Sequence, residues 1–144
     1  MPLTSDADLA RVLSQTRTIA LLGASPRLER ASYRVMRFLM EHGYEVYPVN
    51  PNHTGELLQG RRVYAALSDL PAQVDMVDVF RQSRFLPGIV GESIAAGVRF
   101  IWTQLGVVHQ DAAREAERAG LEVVMDRCPA IEIPRLRRAG FLAG

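Results

Sequence analysis

The sequence predicts a doubly wound α/β domain, a Rossmann-like parallel five-stranded sheet of order 3-2-1-4-5 with helices on both faces. Three observations predict it. Five short apolar runs, Thr18–Leu22, Tyr44–Asn50, Val74–Phe80, Arg99–Thr103 and Leu121–Met125, alternate with helix-compatible stretches. The first run, TIALL, shows no polar alternation, which suits a parallel strand buried on both faces. The spacing between runs allows right-handed crossovers, which join parallel neighbours.

Taken in order, Ser5 is placed to cap a short amphipathic helix, Asp6–Ser14, whose Leu9, Val12 and Leu13 share a face and suit covering a sheet edge. After the first strand, Ser32–His42 reads as a helix with Val35, Met36, Leu39 and Met40 in one stripe and Gly43 as its stop. The second strand ends at Pro51, which cannot continue pairing, and a polar connection rich in Gly and Arg runs on to Val63. A short helical segment near Ser68–Leu70 leads into the third strand. Helices Ser83–Ala96 and Gln110–Ala119 separate the last three strands. The final helix starts at Pro129, where a proline loses no donor, and is expected to be shortened by Pro134.

With 144 residues the chain suits one domain over 1–144, residues 1–15 forming an N-terminal helix packed on it. A hydrophobic share of 48% and a charged share of 23% are ordinary globular values, and the apolar runs are too short to span a bilayer. The start lacks the features of a secretory signal, and the single Cys128 has no internal partner, so the expected location is cytoplasmic. A net charge of +1 from scattered basic residues excludes a nucleic-acid footprint. All 17 basic residues are Arg, so there is no Schiff-base lysine and no lysine to reach a phosphate.

In a doubly wound sheet, ligands lie beyond the carboxyl ends of the strands near the switch point beside strand 1. The segments there are GASPR, VNPNH, VFRQS, TQLGV and DRCPA. The first departs from the dinucleotide fingerprint, with Ser25 and Leu28 where glycines would stand, but it offers backbone N–H groups, a hydroxyl and the Arg27 guanidinium to a phosphate. At the end of strand 2, Asn50 replaces the acid that would hold an NAD ribose, and Pro51 and His53 follow. A phosphorylated ribose therefore fits better than a free diol, with Arg27, His53 and Arg30 as its positive charges.

The combination GASP, PVNP, MVDVFR, WTQLG and MDRCPAIEIPRL resembles the small stand-alone CoA-binding proteins, over Thr16 to Leu136. That family is similar in fold to the CoA-binding domain of the succinyl-CoA synthetase α subunit. The resemblance implies coenzyme A lying extended across the carboxyl edge. It implies that Gly23, Ala24, Ser25, Pro26 and Arg27 form the pyrophosphate loop, and that Asn50, Pro51 and His53 meet the phosphorylated ribose and adenine. Phe80 and Arg81 would wall the adenine or pantetheine, and Thr103, Gln104, Leu105 and Gly106 would form the loop after strand 4. The synthetases often use Lys at the ribose, and this chain has none.

Other residues carry two readings. Phe80 suits both the core and the ligand, Arg84 suits a solvated surface, and Trp102 suits the core. Asp75 and Asp78 lie three apart on a strand and so face opposite ways, which excludes an acid/base couple. Cys128, between Arg127 and a helix start, suits either a packed thiol or a reactive thiolate able to exchange disulfides with the CoA thiol. His42, His53 and His109 have no metal-ligand spacing, and none stands in for the phosphate-transferring histidine of the synthetases. The expected function is thus non-enzymatic binding of CoA or a short acyl-CoA by a carrier, sensor or regulator. The alternatives are an NAD(P)-binding oxidoreductase-like domain and a subunit that completes an acyl-CoA synthetase in trans beside a partner chain.

Overall fold

The computed structural model describes residues 1–143, which form seven strands and five α-helices. Ser5 caps helix α1 (Asp6–Gln15) by accepting from the Asp8 amide at 3.1 Å. Strand β1 (Thr18–Leu22) follows, then α2 (Ala31–Glu41) and β2 (Glu45–Val49). The long connection folds into a small antiparallel hairpin, β3 (Leu57–Leu58) with β4 (Arg61–Arg62), which local apolar patterning did not reveal. Next come β5 (Met76–Val79), α3 (Leu86–Ala96), β6 (Phe100–Thr103), α4 (Gln110–Arg118), β7 (Glu122–Val124) and α5 (Pro129–Arg138).

The main sheet is parallel throughout, in the order β2-β1-β5-β6-β7. The doubly wound class holds, with one correction to the expected 3-2-1-4-5. The run read as the third strand, now β5, lies beside β1, pairing Ile19 with Met76 through Leu22 with Val79. The place outside β2 belongs instead to Tyr64, a one-residue parallel bridge to Val49. Counting that bridge as third restores the pattern 3-2-1-4-5 and adds a further strand at the far edge. The hairpin connection supplies the outer partner, so the chain can hop over β1 before β5.

Alternation along each strand makes two apolar layers. Ile19, Leu21, Met76, Phe100, Trp102 and Val124 face α1, α2 and α5, while Ala20, Leu22, Val77, Val79, Ile101 and Val123 face α3 and α4. Trp102 is fully buried, as its strand position implied, and its indole N–H donates to the Arg127 carbonyl at 2.8 Å. Helix α1 packs on the face beside α5. From there Arg11 reaches Glu122 on the edge strand at 3.0 Å, and the Leu3 amide donates to the Val123 carbonyl at 2.8 Å.

Two helix boundaries differ from expectation. Residues Ser83–Phe85 form a 3₁₀ turn before α3 begins, because Pro87 fits the first α-helical turn. Pro134 does not shorten α5, which continues to Arg138. Ile133 and Leu136 are buried on either side of the proline, and that packing outweighs the one backbone bond it removes. A charge network ties the same helix down: Glu132, buried, accepts from Arg127 at 3.1 Å and from Arg135 at 2.8 Å, and Arg135 also grips Asp6 of α1.

Candidate functional site

At the carboxyl end of β1 the chain must turn under the end of β5. Gly23 has φ +87°, and a Cβ there would stand 2.7 Å from the Phe80 carbonyl oxygen, so only glycine fits. The Gly23 and Ala24 amides both donate to the Val49 carbonyl, and the Arg27 amide donates to Ser25 Oγ at 3.2 Å. These three amides therefore serve the turn. Asn50 locks the same turn from β2, its Nδ2 donating to the Ala24 carbonyl and its Oδ1 accepting from the Asn52 amide.

The donors left for an anion come from α2 and from arginines. Residue Arg30 at its N-cap provides no capping acceptor, and the first turn carries no acid. The leading amides of an eleven-residue helix thus stay available, with the positive end of its dipole behind them. They open into a cavity of about 490 Å³ lined by Gly23, Ser25, Arg27, Arg30, Ala31, Ser32, Asn50, His53, Phe80 and Arg81. His53 is oriented there by Glu56, whose carboxylate lies 3.1 Å from Nδ1.

A second cavity, of about 680 Å³, continues from the first through Ala31, Phe80 and Arg81. It lies between α2 and α5, walled by Val35, Phe38, Val107, Cys128, Ala130 and Ile131, with Gln104, Leu105 and Gly106 from the loop after β6. Leu105 and Ile131 leave large apolar side chains exposed at its rim. Neither cavity is lined by a carboxylate. Arg27, Arg30, Arg34 and Arg81 around them make no ion pair among the described residues, whereas Arg11, Arg61, Arg114, Arg127 and Arg135 are all paired. Arg81 stacks over Phe85, 4.3 Å from its ring centre.

Most residues singled out in the sequence converge on this crevice. Gly23, Ser25, Arg27, Asn50, His53, Phe80, Arg81, Gln104, Leu105 and Gly106 line it. Phe80 is half-buried against the core and also lines both cavities. Four residues stand apart. Ala24 is buried behind the loop, Pro26 is exposed beside it, and Pro51 lines a small adjoining cleft with Val49 and Leu67, which borders the crevice at Gly23 and Arg81. Thr103 is fully buried, its hydroxyl donating to the Val107 carbonyl and accepting from the Asp126 amide, so it shapes the loop from within.

Arg34 and Phe38 were missed by the sequence reading, although their four-residue steps from Arg30 put all three on one helix face. A further groove, of about 780 Å³, runs between Leu67–Val74 and the end of α3 at the amino end of the sheet. Its one charged residue is Glu92, and no cationic side chain lines it.

Two buried polar groups near the crevice have no hydrogen-bond partner. Gln104 Oε1 is one, on a residue only 6% exposed. The other is the Asp78 carboxyl, two residues before Phe80 on the same strand face and fully buried. Burial pushes that carboxyl well above the usual carboxylate range, so it stays neutral where ordinary acids ionise.

Comparison with known proteins agrees with this geometry. Over residues 17–134 the chain matches the family model of the CoA binding domain. It is 33% identical over 124 residues to the uncharacterized protein YneT of Bacillus subtilis, covering 86% of this chain and 90% of that one. It is 31% identical over 93 residues to the α subunit of ADP-forming acetate–CoA ligase I from Pyrococcus furiosus, covering 62% of this chain and 20% of that subunit. The solved structure of a hypothetical protein from Pyrococcus horikoshii superposes with a TM-score of 0.89 at 37% identity, covering 95% of this chain and 96% of that one. The turn at Gly23, the arginine-ringed crevice and the family match together identify the chain as a member of the CoA-binding domain family.

Proposed function

We propose that this protein binds coenzyme A, or a short acyl-CoA, along the carboxyl edge of its sheet and acts as a non-catalytic carrier, sensor or regulator. One observation carries the reading: three unpaired arginines, Arg27, Arg30 and Arg81, and an uncapped helix N-terminus surround a cavity that opens directly into a largely apolar one, where Arg34 is unpaired as well. CoA has this polarity along its length, with phosphates at one end and a pantetheine arm at the other. Arg27, Arg30 and the α2 amides would hold the pyrophosphate, His53 would sit at the phosphorylated ribose, and Phe80 would separate the two compartments. His53 is the sole imidazole among the lining residues, and Glu56, which lines neither cavity, engages its Nδ1, an arrangement suited to orienting the ring toward a bound ligand. The one free cysteine suits a reducing, cytoplasmic setting.

Titration calorimetry with CoA, dephospho-CoA and NAD tests the proposal. Binding in the order CoA above dephospho-CoA, with NAD weakest, is expected; equal or absent heats for all three would refute it. A second reading, a subunit working in trans, draws on the likeness to a ligase subunit of which this chain spans about a fifth, and on the exposed Leu105 and Ile131. Copurification of a larger nucleotide-binding polypeptide would favour it, and a stable lone species would count against it.

A further inference from the structure

We propose that Cys128 captures oxidised CoA covalently, by thiol–disulfide exchange at the end of the pantetheine cavity. The inference rests on the CoA reading above and adds a chemical step to it.

The carboxyl edge presents its groups in a fixed order across the sheet: Asn50 and His53 after β2, Gly23 and Arg27 after β1, Phe80 and Arg81 after β5, Gln104 after β6 and Cys128 after β7. Charge is concentrated at the β2–β1 end and the thiol lies at the other. From β1 to β7 is three strand spacings, about 14 Å.

Two independent features mark the far end as a place for the arm. Cys128 lines the apolar cavity and is the N-cap of α5, where its side chain makes no capping bond. A sulfur at that position stands at the positive end of a ten-residue helix, facing the space the arm would fill. On the same cavity, Gln104 is buried with Oε1 unpartnered, an arrangement that costs about 1–3 kcal/mol unless a donor arrives. The pantetheine arm carries amide N–H groups suited to that oxygen and ends in sulfur.

The exchange balances without an added oxidant. The Cys128 thiolate attacks one sulfur of a CoA disulfide, a Cys128–CoA disulfide forms, the original S–S bond breaks, and the departing CoA thiolate takes up the proton Cys128 released. Because the chain has a single cysteine, no internal thiol can resolve the adduct, which persists until an external thiol arrives.

The test treats the purified protein with symmetric CoA disulfide or with hydroxyethyl disulfide, each with and without adenosine 3′,5′-bisphosphate, and follows intact mass. The expected product is heavier by one CoA less two hydrogen atoms, is reversed by dithiothreitol, and is absent from Cys128→Ser. It should form about tenfold or more faster with the CoA reagent, because binding raises the effective concentration, and the bisphosphate should slow it. Equal rates with both reagents and no competition would overturn the proposal. So would the lack of an adduct on a protein whose calorimetry shows CoA bound, an outcome that leaves the CoA reading standing. Absence of CoA binding in calorimetry would overturn both.

Discussion

Asn50 donates from Nδ2 to the carbonyl of Ala24 at 2.8 Å, tying the end of β2 to the turn that leaves β1. The residue standing where a ribose-binding acid would be expected is therefore a brace for the neighbouring loop, and its side-chain oxygen accepts from the Asn52 amide. Exchanging it for Asp removes the donor and sets a charged oxygen against a carbonyl. Asn50→Asp should lose about 1–3 kcal/mol of stability in denaturant titration and weaken CoA binding, without creating NAD affinity in calorimetry. Stronger NAD binding by the variant would revive the dinucleotide reading.

Gly23 is the tightest backbone position in the crevice. Gly23→Ala must accept φ +87° and push against the Phe80 carbonyl, a strain of about 1–3 kcal/mol. The expected result is a lower denaturant midpoint and weaker CoA binding together; an unchanged midpoint would show that the turn relaxes freely.

The unpaired arginines should determine affinity and salt dependence. Arg27→Gln and Arg30→Gln are each expected to weaken CoA binding by about tenfold to a hundredfold, the range of one charge-assisted bond, and to flatten the fall of affinity with salt. Melting temperatures should barely move, since neither side chain has an ion-pair partner to lose. Calorimetry at two salt concentrations separates this outcome from a general loss of fold.

Asp78 predicts a loss of stability as pH rises. Burial raises its folded pKa above the unfolded value of about 3.9, so the native state holds this proton more tightly. Its contribution is fully present below that unfolded value and is lost as pH rises through the folded one. Stability of the wild type should therefore decline with rising pH over this window, and Asp78→Asn should remove that slope. Denaturant midpoints across the pH range decide it, and identical slopes for the two proteins would contradict the assignment.

The network joining α1 to α5 predicts the opposite sign at low pH. Arg135 holds the Asp6 carboxyl below its ordinary value, so the stabilisation is present above the unfolded pKa and fades as pH falls through the lower, folded one. Arg135→Gln also leaves the buried Glu132 with Arg127 alone and should lower stability at neutral pH. Thermal melts of the two proteins at neutral and acid pH should converge as the acid limit is approached.

The sequence alone determined the class of fold and which edge of the sheet carries the candidate site. Branched apolar runs such as TIALL have one stable environment, the interior of a covered parallel sheet, and the residues just after them must then share one rim. Local pattern could not say which strand neighbours which. The place outside β2 is filled by Tyr64 through a single bridge, and pairing of that kind depends on contacts far apart in the chain. Nor could it foresee that Thr103 and Asn50 would spend their polar atoms inside the protein, that Pro134 would be carried through α5 by its buried neighbours, or that Arg34 and Phe38 would face the crevice. Those outcomes follow from which helices pack side by side, and only the assembled molecule decides that.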